Sequence, residues 1–407
     1  MGTLEPQSDP ILNRMEGLSP LATMPFREGR QLNLFENPET AMQLDRALWY
    51  RSFAPQVSSL HSLAPHPHRI SATTAQVLID LYSQPGDVVL DPFAGSGTIA
   101  FEAAAAGRIV WANDLSPYAQ ALTAAKLAVP ISRRAAQEQA IALFPKILAL
   151  APEQDLSEVP AWVQEFFHPN TLREILAAVA VFKAEAHPFL LGCLLGILHH
   201  AQASALSYPS RSESPYLRRA SYPPDHFPQL YAYRDVRSRL LAKIQRLYRR
   251  PLLSDQWAQR HYRLWQQDGI TMPLAASSID AIITHPPHPG AFSYLRDQRL
   301  RLYFLGHPHW QDLETTMVGP TDYLARMATL LTTLARLLKP GGWGVLVFTP
   351  GQPAHSPSTL LQPWITLVRD LPAQPFIVQT VYEAETVHRS RSPRALPAES
   401  ILVLQRC

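Results

Sequence analysis

Two short stretches of this 407-residue chain carry residue types that could do chemistry. The first is Asp91-Pro92-Phe93-Ala94-Gly95-Ser96-Gly97-Thr98. It follows the apolar run Val88-Val89-Leu90 and precedes a helix-forming run at 99–106, so it reads as a turn from a strand's end into a helix. Gly95 and Gly97 remove side chains where a ligand would approach the backbone, and free amides at the start of the helix present donors. Asp114 closes the next apolar run, 109–112. It lies roughly 20 residues on, the interval at which an acidic side chain meets ribose hydroxyls in dinucleotide folds. The second stretch is Thr284-His285-Pro286-Pro287-His288, directly after the apolar run 279–283. Paired prolines fix φ and stiffen a loop. A neutral imidazole accepts one hydrogen bond and can stack on a base. Spaced glycines alone also occur in ordinary strand-to-helix turns.

The surrounding pattern must position these stretches. Ala75, Val77, Leu78 and Leu81 share one helix face, and Pro85-Gly86 breaks the helix. A strand at 87–91, the turn, a helix stopped by Gly107, a strand at 109–112 and a helix opened by Ser116-Pro117 follow in order. This is the first half of a doubly wound α/β sheet. Residues 130–255 then show helix-like segments around 132–149, 161–183, 188–203 and 229–249, so we expect a helical insertion there. Strands at 262–266 and 279–283, a helix at 323–338, a turn at 339–342 and strands at 344–348, 376–382 and 400–404 complete the pattern. The expected organisation is an N-terminal arm (1–55), a core in two pieces (56–129 and 256–407) and the insertion (130–255), which could be a target-recognition element.

Composition narrows the class. Hydrophobic residues make up 46% of the chain, enough for a substantial core, and a charged fraction of 17% argues against wholesale disorder. The formal charge of +3 is weak evidence for a nucleic-acid partner. Cys193 and Cys407 build neither a disulfide framework nor a metal site, which suits a reducing, cytoplasmic compartment. No basic-then-apolar leader opens the sequence, and the longest apolar stretch, 189–198, is far below the roughly 20 residues that span a bilayer. We expect a soluble protein with no membrane partner. His285, His288, His307 and His309 are close in sequence but have no Cys, Asp or Glu at a zinc spacing, so no metal is expected.

The string at 91–98 resembles the cofactor motif of the bacterial N4-cytosine and N6-adenine DNA methyltransferases, and related RNA amino-methyltransferases share much of it. It is not a G-x-G-x-x-G nicotinamide fingerprint. The resemblance implies a Rossmann-like class I S-adenosylmethionine-dependent methyltransferase, whose sheet closes with a C-terminal antiparallel pair. The implied cofactor residues are Asp91, Pro92, Phe93, Ala94, Gly95, Ser96, Gly97, Thr98 and Asp114. His66, within His66-Pro67-His68-Arg69, is similar to the family segment that contacts the methionine part of the cofactor. Asp268 resembles the family's acidic residue near the adenine; followed by Gly269, it is equally an ordinary turn aspartate.

The family's catalytic motif follows the fourth strand: Asp, Asn or Ser, then Pro-Pro, then an aromatic. An exocyclic amino nitrogen is a poor nucleophile because its lone pair is delocalised into the ring. Acceptors from the first side chain and a nearby backbone carbonyl favour a more reactive geometry, and the aromatic stacks on the extruded base. In-line positioning supplies much of the acceleration. The resemblance thus implies catalytic roles for His285, Pro286, Pro287 and His288, with His285 and His288 departing from the family pattern. Phe292 and Tyr294 could replace the missing ring or simply pack under the loop.

Residues 211–250 are locally basic, with Arg211, Arg218 and Arg219 among interleaved tyrosines. In the helix expected there, Tyr233, Val236, Leu240, Ile244 and Leu247 make an apolar stripe, and the basic residues mostly face away from it. A charged outer face is commonly just solvated, but an excess of one sign also suits phosphate contacts. The stretches around His199-His200 and 214–219 look like a segment of a subgroup of bacterial DNA methylase-like proteins. This implies nucleic-acid contacts at Arg211, Arg218 and Arg219. The expected activity is methyl transfer to an exocyclic amino group of adenine or cytosine in DNA. The alternatives are an RNA base amino-methyltransferase and a catalytically silent cofactor- or nucleic-acid-binding homologue. The sequence leaves the base, the target sequence and the oligomeric state open.

Overall fold

The strands Val88–Asp91 (β1), Ile109–Asn113 (β2), Tyr262–Trp265 (β3), Ile279–Thr284 (β4), Leu338–Phe348 (β5), Phe376–Glu383 (β6) and Ser400–Arg406 (β7) form one sheet in the order β3-β2-β1-β4-β5-β7-β6. The first five run parallel, and β7 is antiparallel to both β5 and β6. This is a doubly wound, Rossmann-like sheet closed by the antiparallel pair of a class I methyltransferase fold. The computed structural model describes residues 57–66, 69–210, 214–217, 221–251, 253–287, 294–314, 322–348, 357–383 and 400–407. The expected arm, Arg211, Arg218, Arg219, His288, Phe292 and the side chain of Tyr294 lie outside the described residues.

Side chains alternate between two cores, as the two-residue period of a strand requires. Val89, Ala281, Ile283, Val345, Val347, Ile401 and Val403 point to one face. Leu90, Ile282, Leu346, Phe348, Leu402 and Leu404 point to the other. The first face is covered by Ala72–Tyr82 (α1), Thr98–Ala105 (α2), Pro117–Leu127 (α3) and the insertion helices Arg133–Leu150 (α4), Ala161–Gln164 (α5), Pro169–Ala184 (α6), Pro188–Leu198 (α7) and Val236–Leu247 (α8). Helix Tyr294–Leu305 (α9) joins them, followed by the short Trp310–Glu314 (α10). Tyr323–Leu337 (α11) and Pro357–Arg369 (α12) cover the second face.

The insertion shares one continuous apolar cluster with the sheet. The apolar stretch at 189–198 becomes α7, which is buried on nearly every side. At Gly196 a Cβ would lie 2.0 Å from the carbonyl oxygen of Leu63, so only glycine lets this helix meet the 59–64 segment backbone to backbone. Arg301, 1% exposed, locks the end of α7 from α9: its Nε donates to the Leu195 carbonyl at 3.2 Å and its Nη2 to the His199 carbonyl at 2.7 Å.

Several expected boundaries differ. The helix expected at 161–183 breaks into α5 and α6, because Pro169 restarts the helix at its first position. The one expected at 188–203 ends at Leu198, where His199 adopts extended backbone (φ −153°, ψ 122°). The one expected at 229–249 starts at Val236, because Asp235 caps it by accepting from the Ser238 amide at 2.8 Å. Tyr233 therefore falls outside the expected stripe and is 46% exposed, whereas Val236, Leu240, Ile244 and Leu247 are fully buried. The turn expected at 339–342 is absorbed into an irregular start of β5, whose pairing with β4 shifts register between Ile279 and Ala281.

Candidate active site

Chain order and sheet order part company at β1. From there the chain runs outward to β2 and β3, then returns to β4 on the other side of β1 and continues to β5. In open α/β sheets ligands sit in the crevice outside the carboxyl ends of the strands at such a switch point. Two loops leave that edge: the glycine turn after β1 and the His-Pro-Pro loop after β4.

The turn is held from within. Asp91, 2% exposed, accepts at Oδ1 from the Phe93 amide at 3.2 Å and from the Thr284 hydroxyl at 2.7 Å. The Ala94 amide donates to the Asn113 carbonyl at 2.9 Å, and the Gly97 amide to the Ala94 carbonyl at 2.7 Å. The Gly95 amide donates to Asp114 Oδ2 at 2.8 Å. Four amides of the turn thus have partners within the protein, two inside the turn and two on Asn113 and Asp114. Gly95 and Gly97 have φ of +51° and +69°, the left-handed region that glycine enters without strain. A Cβ on Gly97 would lie 2.9 Å from Cα of Thr123 on α3. Ser96 and Thr98 share a hydroxyl hydrogen bond at 3.0 Å, and both are buried.

Asp114 follows β2, and each of its oxygens accepts a backbone amide, Gly95 on one and Ser116 on the other at 2.9 Å. A carboxylate oxygen has two acceptor sites, so both oxygens keep capacity for a ligand hydroxyl. Burial pushes the Asp114 carboxyl up to about 6, opposed by those two amides. Burial pushes Asp91 up to about 7, opposed by the Thr284 and Phe93 donors and reinforced by nearby Asp114. His66 lies over the turn: a Cβ on Gly95 would meet its Cε1 at 3.4 Å. Its ring is stacked with Tyr118 of α3 at 6.1 Å and 17°, and Tyr118 also donates to the Pro65 carbonyl at 2.5 Å. Behind the turn, buried Glu102 of α2 pairs with His61 and accepts from Gln76 at 2.9 Å, tying α1 to α2.

Asp268 borders the same crevice. Beside it, Gly269 faces the Pro92 carbonyl and the Phe93 ring, which a Cβ would meet at 3.7 and 3.8 Å. Asp268 caps its own turn by accepting from the Ile270 amide at 3.0 Å and forms an ion pair with Arg326 of α11. The ordinary turn role is therefore real, and it leaves Asp268 at the edge of the glycine turn. In the His-Pro-Pro loop Pro286 is buried while His285 and Pro287 are half-buried. The Tyr323 hydroxyl, from the start of α11, donates to the Pro287 carbonyl at 2.9 Å.

Four residues that join these parts are given no role by the sequence. Thr284 bonds Asp91, and Tyr323 bonds Pro287. Asn113 clasps both sides, its Nδ2 donating to the Pro92 and Gln267 carbonyls at 3.2 and 3.0 Å. Gln267, next to Asp268, has a buried side-chain nitrogen with no hydrogen-bond partner among the described residues. Gln267 lies two residues beyond the end of β3. No group of three or more His, Cys, Asp or Glu is placed to hold a metal among the described residues, and none of their helices is long and apolar enough to cross a membrane.

Residues 29–123, which include the glycine turn and Asp114, match the N6/N4 family model described as DNA methylase. The matched segment, under a quarter of the chain, is what is similar to that family. No curated protein matches the chain. Among solved structures, TrmN from Thermus thermophilus is 14% identical, with 92% of this chain and 55% of that one covered and a TM-score of 0.31. This chain thus spans about half the length of that protein. A SAM-dependent methyltransferase from Methanosarcina mazei is 11% identical, covering 81% and 96% at a TM-score of 0.33. The rRNA methyltransferase aviRa from Streptomyces viridochromogenes is 13% identical, covering 87% and 94% at 0.29.

Proposed function

We propose that this chain is an S-adenosylmethionine-dependent methyltransferase that acts on an exocyclic amino nitrogen of adenine or cytosine in DNA. One observation carries the reading: the Thr284–Asp91 hydrogen bond ties the end of β4 to the end of β1, so the glycine turn and the His-Pro-Pro loop flank one crevice. The family match over 29–123 supports the methyltransferase class.

The residues present fit the cofactor. The side-chain-free turn at Gly95 and Gly97 leaves room at the backbone, and the unpartnered nitrogen of Gln267 is a buried donor awaiting an acceptor. Asp114 would receive the ribose hydroxyls, Asp268 and Gln267 the adenine, and His66 the methionine end. S-adenosylmethionine supplies a methyl group on a positively charged sulfur. His285, in its neutral form, would accept a hydrogen from the target amino group. Pro286 and Pro287 hold the loop stiff, and His288 would stack on the base. The insertion at 130–255 would present the target-recognition surface, with Arg211, Arg218 and Arg219 on phosphates. Charge reversal at Arg218 and Arg219 should weaken DNA binding, and unchanged affinity at low salt would reject that surface.

The silent-homologue reading is favoured by one feature: His285 and His288 stand where the family pattern has Asp, Asn or Ser and an aromatic ring. The test is to incubate purified protein with labelled S-adenosylmethionine and DNA or RNA, and to identify methylated nucleosides by mass spectrometry. Methylated adenine or cytosine in DNA is the expected result. Transfer to RNA alone would replace DNA as the substrate, and no transfer to either, with cofactor binding intact, would leave the silent reading.

A further inference from the structure

A cavity of ≈ 470 Å³ opens between the insertion and α9, away from the glycine turn. Its walls include Trp162 of α5, Phe166, Tyr216, Arg299 of α9 and Trp310 of α10, with Glu165 at the exposed rim. The volume lies within the range of small-molecule sites. Its lining is unlike that of a core void. Tyr216 is 52% exposed, and Trp162 and Trp310 are only half-buried.

The cavity is built on anchored parts. The Arg299 guanidinium lies 5.0 Å from the centre of the Tyr216 ring and 6.0 Å from that of Trp162. Its Nη2 donates to the Pro215 carbonyl at 2.6 Å and its Nη1 to the Arg296 carbonyl at 3.0 Å, so the cation is fixed rather than swinging in solvent. Tyr216 is held in turn: Ser210 and Leu217 form an antiparallel bridge, and Ser210 Oγ donates to the Tyr216 carbonyl at 3.0 Å. Exposing a tyrosine on such a braced turn, beside a fixed cation, provides a rigid stacking platform at low entropic cost.

Three features point to one ligand class. Aromatic faces beside a guanidinium are what proteins use to hold unstacked bases. A carboxylate at the rim suits the exocyclic amine of cytosine. In the chain Tyr216 lies between Arg211 and Arg218-Arg219, cations suited to the phosphates that carry a base. Arg299 also lies five residues into α9, the helix that follows the catalytic loop, which is about 8 Å along its axis at 1.5 Å per residue.

We propose that this cavity binds a second nucleobase of the nucleic-acid substrate, distinct from the base at the methyl-transfer crevice, by stacking it on Tyr216 and Trp310 beside Arg299. The proposal rests on a nucleic-acid substrate and requires no turnover. The site would read an unpaired base near the target, so the protein should prefer single-stranded or locally opened DNA over intact duplex.

The experiment measures binding of a labelled mixed-sequence deoxyoligonucleotide by fluorescence anisotropy, with S-adenosylhomocysteine affinity as a parallel readout. Tyr216→Ala and Trp310→Ala should each weaken oligonucleotide binding roughly 5- to 150-fold, the loss expected from removing one base–aromatic stack. Tyr216→Phe, which keeps the ring, should stay near wild type, and S-adenosylhomocysteine affinity should not move. Wild-type protein crosslinked to a 5-iodouracil oligonucleotide should carry the adduct on Tyr216, Trp162 or Trp310, a readout independent of how the variants fold. Unchanged oligonucleotide affinity in both alanine variants, or adducts confined to other regions, would overturn the proposal. Absence of methyl transfer with these binding results intact would count against the catalytic reading alone.

Discussion

Thr284 donates a 2.7 Å hydrogen bond to Asp91, and the two residues are the last of adjacent parallel strands, β4 and β1. The carboxylate end of one loop is thereby fixed to the start of the other. Thr284→Val keeps the shape and removes the donor, leaving a buried acceptor short of a partner. Unfolding in urea should show a loss of about 1–3 kcal/mol. Thr284→Ser should recover most of it. A valine variant as stable as wild type would show that the bond contributes nothing to the fold.

Asp91 should also leave a mark on the pH dependence of stability. Its carboxyl titrates near 3.8 when unfolded and about 7 in the native protein, chiefly because it is buried. Between those values the native state holds a proton that the unfolded chain has released. Stability from this group is therefore full below about pH 4 and falls as pH rises towards 7, by at most about 1.4 kcal/mol per pH unit. Asp114 acts in the same direction up to about 6. Asp91→Asn removes only the first contribution, so the stability difference between variant and wild type should shift in the variant's favour from pH 4 to pH 7. A difference that is flat over this window contradicts the assignment.

Gly97→Ala and Gly86→Ala separate strain from collision. Both positions have positive φ, +69° and +90°, but a Cβ on Gly97 meets Thr123 at 2.9 Å while one on Gly86 meets nothing within 4 Å. The Gly86 variant should lose about 1–2 kcal/mol from backbone strain alone. The Gly97 variant should add an overpacking cost of about 1–3 kcal/mol and lose cofactor affinity, because the turn must shift. Thermal unfolding and calorimetric titration with S-adenosylhomocysteine distinguish the two.

Gln267→Leu should move binding and stability in opposite directions. Its side-chain nitrogen is buried without a partner among the described residues, so removing it should leave the free protein as stable or slightly more so. If that nitrogen meets the cofactor, the variant should bind S-adenosylhomocysteine about 2- to 10-fold more weakly, the worth of one ordinary hydrogen bond. Equal affinity removes Gln267 from the cofactor site.

The double substitution His285→Ser with His288→Tyr rebuilds the family's catalytic pattern. On a competent scaffold it should raise methyl transfer to DNA above wild type in the labelled-cofactor assay. A wild type that is already as active would reject the silent reading.

What was legible in the sequence was local. The strand, glycine turn and helix at 87–106 declare themselves because strand period, glycine conformation and helix start are all set by residues a few positions apart. The Asp91-to-Thr98 string and Asp114 were readable for the same reason, and the family match covers them. Helix ends in the insertion were less so. Helical propensity runs past Leu198, but the His199 carbonyl is claimed by Arg301 and its ring by Ser207 at 2.8 Å, partners that exist only once α9 and the 206–208 segment have packed.

Charge shows the same limit. By composition, Arg234, Arg239 and Lys243 count towards a basic surface. In the structure Arg234 donates to the carbonyls of Ala205 and Leu230, Arg239 to that of Ala203, and Lys243 to that of Ser62, so each braces backbone. A charge count cannot distinguish a cation facing solvent from one bonded to a carbonyl.

By itself, then, the sequence determined the strand–turn–helix with its glycine turn, the motif order and the helical character of the insertion, since neighbouring residues dictate each. Only the tertiary structure decided that Thr284 donates to Asp91, 193 positions away, that the Gly95 amide meets Asp114, and that Tyr216, Trp162 and Trp310 surround one cavity with Arg299. These depend on strand order and on helices packing across the sheet, and no local periodicity encodes which distant residues such packing brings together.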